Sequence, residues 1–145
     1  MNLLRCLPVI IAVLSLLISG CATGPSFAEA SRSLPPLDPA KGRIYLYRTT
    51  VMGTAIQPDI RVNGEVVGSA KPKGFIVVDR PAGQYQISTS TEVNRTLSLT
   101  LSPGQTRYVK LSLSMGFMVG HVYPELVENV QGSSDVQECS FLGLK

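Results

Sequence analysis

The chain has little of what several function classes depend on. It contains a single histidine, His121, which excludes a multi-histidine metal site. Its formal net charge is only +3, and no arginine-rich run or aromatic-and-basic stripe is present, so nucleic acid is not the expected partner. There is no Gly-x-Ser-x-Gly elbow, phosphate-cradling glycine loop or dinucleotide fingerprint. Lys71 and Lys73, on either side of Pro72, read as a solvated turn, and Glu125 and Glu128 as solvated surface on a late strand. Catalysis needs a positioned acid, base or nucleophile. The expectation is a protein that is not an enzyme and holds no metal or cofactor. An envelope hydrolase using His121 is the alternative.

Long apolar runs are also missing. Cys6 to Ile18 is almost wholly apolar, but its 13 residues would cover only about 20 Å as a helix, short of the roughly 30 Å hydrocarbon core. With one positive charge before it, the run has the size of a signal-peptide core. It ends in Ile18-Ser19-Gly20-Cys21, which resembles the lipobox of bacterial lipoproteins: an aliphatic residue, two small ones, then cysteine. The residue types suit the chemistry. A thiol is nucleophilic enough to take a diacylglyceryl group as a thioether, and small neighbours let the backbone enter a peptidase.

The resemblance implies cleavage between Gly20 and Cys21, a diacylglyceryl group on Cys21 and a further N-acyl chain such as palmitate on the new amine. Two or more chains anchor a protein stably where one does not. The other reading is an uncleaved inner-membrane anchor with Cys21 incidental. Ala22 stands where inner-membrane lipoproteins typically carry Asp, so the sorting rule implies an outer-membrane anchor facing the periplasm. The expected organisation is a signal peptide over 1–20, a lipidated N-terminus and flexible linker over 21–41, and one domain over 42–145. The linker is rich in Pro, Ser and Ala and lacks periodicity; twenty flexible residues would reach about 25 Å.

Cysteine is scarce too. Of three, Cys6 leaves with the signal peptide and Cys21 is acylated, so Cys139 stands alone and no intramolecular disulfide is expected. Cys139 is either a reactive thiol or a small buried hydrophobe. Its spacing from Val136 and Leu142 would put all three on one face of a helix, which favours burial.

Thirteen glycines and ten prolines punctuate what remains into short alternating runs. "RIYLYR" (43–48), "DIRV" (59–62) and "EVVG" (65–68) read as strands, the last two joined by Asn63-Gly64, a pair that tolerates the positive φ of a hairpin turn. "FIVVD" (75–79) is apolar on both faces, as an interior strand would be. "QYQISTS" (84–90), "TLSLTLS" (96–102) and "YVKLSLSM" (108–115) alternate, with Val109, Leu111, Leu113 and Met115 expected inward. Pro103-Gly104 suits a type II turn between the last two. In "HVYPELVENV" (121–130), Pro124 points to an edge strand. Ser134-Asp135-Val136-Gln137 looks like a capping box opening a short closing helix. Seven or eight strands without intervening helices predict an all-β, antiparallel sandwich.

The order "GRIYLYR", "IRVNGEVVG", "GFIVVDRPAGQYQIS", "LSLTLSPGQTRYVKLSLSMGFMVG" resembles the bacterial lipoprotein family of domain of unknown function 2846. The middle stretch is similar to PEGA-type and transthyretin-like sandwich modules. The resemblance covers nearly all of residues 42–130, implies fold and address, and carries over no catalytic residue.

Two stretches invite a functional reading. "TTVMGTAIQP" (49–58) and "MGFMVGH" (115–121) combine loop glycines with apolar and methionine side chains, which suit adaptable contact surfaces. Met52, Phe117, Met118 and His121 then form a candidate interaction patch for a partner protein or the bilayer surface. Alternatively, the two loops pack on each other and close an open end of the sandwich. The expected role is a lipid-anchored periplasmic accessory module that interacts with an envelope protein, with a glycan as the weaker candidate.

Overall fold

The computed structural model describes residues 22–116 and 119–145, with the backbone alone over 92–94. The strands are β1 (Lys41–Arg48), β2 (Asp59–Val62), β3 (Glu65–Ser69), β4 (Gly74–Pro81), β5 (Gly83–Thr89), β6 (Glu92–Leu101), β7 (Thr106–Met115), β8 (Gly120–Val127) and β9 (Ser140–Leu144). They form two packed sheets, one in the order β8-β7-β1-β4-β9 and the other β3-β2-β5-β6. The chain is an all-β sandwich, as the alternation predicts. Its five-stranded sheet is mixed: β1 pairs parallel with β7, and β4 parallel with β9.

The turn chemistry behaves as read. Asn63 and Gly64 have φ of 49° and 83°, and Gly104 has φ of 70°. Pro124 lies on β8, an edge strand.

Central position explains the two-sided burial of β1 and β4. Ile44, Leu46, Ile76 and Val78 point into the inter-sheet core with Ile60, Val62, Ile87, Leu101, Val109 and Leu111. The alternate residues Tyr45, Tyr47, Phe75 and Val77 point the other way, into a second cluster with Tyr108, Val136, Cys139 and Ala30. That outer face needs a cover, and the chain's two ends supply it.

The N-terminal cover corrects the flexible-linker expectation. Residues 22–40 lie against the domain. Helix α1 (Phe27–Ser33) starts with a capping box in which Glu29 N–H donates to Ser26 Oγ at 3.3 Å and Ser26 N–H to Glu29 Oε2 at 2.8 Å. Ala30 is fully buried, and the Phe27 ring sits 5.7 Å from Phe75. Beyond the helix, Arg43 Nη2 donates to Pro35 O at 2.9 Å while pairing with Asp79 through 2.7 Å bonds. Before it, Phe141 N–H donates to Pro25 O and Ala22 N–H to Pro72 O, at 2.8 and 2.9 Å.

The C-terminal cover differs from expectation in detail. Helix α2 (Asn129–Asp135) ends within 134–137 and a 3-10 helix (Val136–Glu138) begins there without a side-chain cap hydrogen bond, so the stretch forms no capping box. The chain closes on β9. Gly132 lets α2 approach the sheet, since a Cβ there would sit 2.3 Å from that of Tyr108. Val136 and Cys139 share the outer cluster as expected, but Leu142 packs on the inter-sheet core. Among the described residues, no helix is long and apolar enough to cross a membrane.

Candidate functional site

The two apolar loops meet at one end of the sandwich, and Arg48 organises the first of them. It closes β1 on the same face as Ile44 and Leu46 and is wholly buried. Nη1 donates to Ile56 O at 2.6 Å and Ala70 O at 2.9 Å; Nη2 donates to Met52 O and to Gly53 O at 3.0 Å. Burial lowers its pKa from the ordinary arginine range, and carbonyl dipoles face the charge. One cation therefore ties the 49–58 loop to the segment that leads to Pro72. Sequence reasoning passed over Arg48. The available signal was a cation on the inward phase of an otherwise apolar strand.

Ile56 turns inward onto the core, and Gly120 opposes it so closely that a Cβ there would lie 2.5 Å from Ile56 Cδ1. The loops do pack on each other. The packing leaves part of them uncovered: Val51 is 52% exposed, Met52 63%, Met115 68% and Val119 60%. Met115, expected inward, is exposed because β7 runs five residues past Lys110, the last of its residues to pair with β1, at Tyr47. Met52 and Met115 line one cleft of about 400 Å³ with Thr49, Leu113, Tyr123 and Lys110. Of the other candidate residues, Phe117 and Met118 lie outside the described residues, as do Gly20 and Cys21.

His121 staples the two sheets. Its Nδ1 donates to Thr91 O at 2.8 Å, Val122 N–H donates to Thr91 Oγ1 at 3.0 Å, and Thr89 Oγ1 donates to Val122 O. A carbonyl only accepts, so the ring's Nδ1 carries the proton. In a nucleophilic triad that proton is held by a carboxylate.

A second cleft, of about 370 Å³, opens between the edge strands β3 and β9, lined by Val66, Ser69, Lys71, Leu142 and Lys145 among others. Sequence reasoning missed it because β9 was read as helix. Cys139 is buried, with its Sγ 3.6 Å from Arg48 O, and burial pushes the thiol up to about 11. Such a thiol is protonated at neutral pH and poorly nucleophilic. Asp135 gathers Tyr47 Oη at 3.0 Å and Lys110 Nζ at 3.1 Å, tying α2 to the outer sheet face. Among the described residues, no three His, Cys, Asp or Glu side chains come together as metal ligands would.

The model of a protein family of unknown function, DUF2846, matches residues 38–122, from the start of β1 into β8. The chain belongs to the DUF2846 family. An uncharacterized protein of Haemophilus influenzae is 28% identical over 129 residues, which cover 86% of this chain and 77% of the relative. No solved structure matches significantly. The DUF2846 match spans Arg48, the 49–58 loop, β3, β7 and His121, and stops before α2 and β9.

Proposed function

We propose that this DUF2846 protein is a lipid-anchored accessory module of the bacterial cell envelope, held in the outer membrane through Cys21, facing the periplasm and binding an envelope protein without catalysing a reaction. The observation that carries the reading is the junction at residue 21. A lipobox-like Ile-Ser-Gly-Cys ends the apolar run, and the next residue, Ala22, is bonded to the domain, its N–H donating to Pro72 O at 2.9 Å. A diacylglyceryl thioether with an N-acyl chain would hold such a domain stably. The open edge between β3 and β9 offers a partner two strand edges and a cleft walled by Val66 and Leu142 together with Ser69, Lys71 and Lys145, a setting suited to addition of an extended segment.

The test is metabolic labelling with a clickable fatty acid. The native chain should take up label and partition with the outer membrane, whereas Cys21→Ser should lose the label, because serine supplies no thiolate. Undiminished label on Cys21→Ser would sink the proposal.

A further inference from the structure

We propose that the end of the sandwich carrying the 49–58 loop and the β7–β8 hairpin faces the bilayer, with Val51, Met52, Met115 and Val119 seated at the headgroup–acyl boundary of the membrane that anchors the protein. The inference rests on the reading of Cys21 as the lipidated residue and adds the orientation of the domain.

Position is the first argument. In the sheet register Arg48 pairs with Gly74, and Ser140 pairs with Gly74 from the other side. The 49–58 loop, the Lys71–Lys73 turn and the start of β9 therefore share one end. The β7–β8 hairpin overhangs it, because β7 continues beyond its last pairing with β1. Ala22 sits at this same end: its N–H donates to Pro72 O at 2.9 Å, and a Cβ on Gly74 would lie 3.0 Å from the Ala22 Cβ. Arg48 links the two features directly, donating to Met52 O and Gly53 O on one side and to Ala70 O, two residues from Pro72, on the other.

Tether length is the second argument. Ala22 is hydrogen-bonded to the domain, so no slack separates the domain from the anchor. Cys21 and Ala22 are consecutive, and consecutive Cα atoms are about 3.8 Å apart. Lipid on Cys21 must bring the Pro72 end of the domain to within a residue or so of the interface. At that proximity a small apolar patch needs little intrinsic affinity, since its contact with the bilayer is intramolecular in effect.

Chemistry is the third. Four of the eight large hydrophobic side chains that are exposed among the described residues lie on these two loops. Lys71 is exposed beside the exit point, and Lys73 reaches Glu138 at 3.0 Å across it. An apolar tip flanked by lysine suits an interface of acyl chains and anionic headgroups. The far end of the same sheets carries the Pro81-Ala82-Gly83 and Pro103-Gly104 turns, and the other four exposed large hydrophobics among the described residues are spread over β3, β8, α2 and β9.

The chain contains no tryptophan, so single replacements report cleanly. Lipidated full-length Met52→Trp, Met115→Trp and, as a control on the β3 edge, Val66→Trp would be reconstituted into vesicles of phosphatidylethanolamine and phosphatidylglycerol, with and without dibrominated acyl chains. All three native residues are exposed, so folding should be retained. The expected result is flotation of all three with vesicles, blue-shifted emission and at least twofold bromine quenching for Met52→Trp and Met115→Trp, and neither for Val66→Trp. Flotation with unquenched indoles at 52 and 115 overturns the orientation and leaves the anchor reading standing. A blue shift without quenching also overturns it, because protein then covers the patch. Equal quenching at position 66 removes the preferred face. Failure to float, with no acyl group on Cys21, sinks the anchor reading and this inference with it.

Discussion

Arg48 brings a charge into the inter-sheet face and aims two nitrogens at four main-chain carbonyls, those of Met52, Gly53, Ile56 and Ala70. A buried acceptor stripped of its donor costs about 1–3 kcal/mol. Lysine cannot take over, since its compact ammonium lacks the planar fork that reaches two directions at once. Arg48→Lys should therefore destabilise by more than about 3 kcal/mol, summed over the orphaned carbonyls, read as a lower urea midpoint with unchanged slope. A loss under about 1 kcal/mol would show that water satisfies those carbonyls. The inward phase of position 48 was legible from the alternation in "RIYLYR"; its purpose was not, because the acceptors belong to a loop whose path no local pattern encodes. His121 is similar. Its single occurrence limited what chemistry it could do, but its bond to Thr91 depends on a contact between two sheets.

At the scale of elements, the outer layer is where the structure departs most from the sequence reading. A linker can be removed without harm; a packed helix cannot. Phe27, Ala30 and Leu34 lie on the outer cluster, and burying even two such apolar side chains is worth about 3 kcal/mol. A chain that starts at Lys41 should unfold at a clearly lower urea midpoint than one that starts at Ala22. Equal midpoints would mean that α1 contributes nothing and the segment behaves as a tether after all. The eight hairpin and meander strands were legible because half-buried strands alternate with period two and their turns demand Gly, Pro or Asn. α1 and β9 were not. "SFAE" carries the same capping signature that was read at 134–137, but its helix has only seven residues, too few for periodicity to show. "SFLGL" is five residues long and pairs parallel with a strand more than sixty positions earlier, so only tertiary context distinguishes it from a helical turn.

At the scale of the molecule, the described residues form three layers: four strands, five strands and a cover of short helices. The layers differ in what holds them. The inter-sheet core is apolar apart from the buried Arg48 and Thr89 and holds no carboxylate among its buried residues, whereas the cover is tied down partly by carboxylates. Burial pushes the Asp135 carboxyl up, but hydrogen bonds from Gln131, Lys110 and Tyr47 outweigh that and hold it below the ordinary aspartate range. Hydrogen bonds from the Ser26 side chain and backbone likewise lower Glu29, which caps α1. A carboxyl depressed in the folded state contributes stability that is complete above its unfolded pKa, about 4, and that is lost as pH falls through the folded value, since the unfolded chain takes up protons first. Acid should therefore loosen the helical cover before the sandwich. The expected outcome is a urea midpoint flat from pH 7 to 5 that drops below about pH 4, with hydrogen exchange rising in 26–33 and 129–138 ahead of β1 and β4. Asp135→Asn should lower the neutral-pH midpoint by the worth of a charge-assisted bond, about 1.5–3 kcal/mol, and flatten the acid drop. A variant whose midpoint falls as steeply with acid as that of the native chain would show that Asp135 is not the group that senses pH.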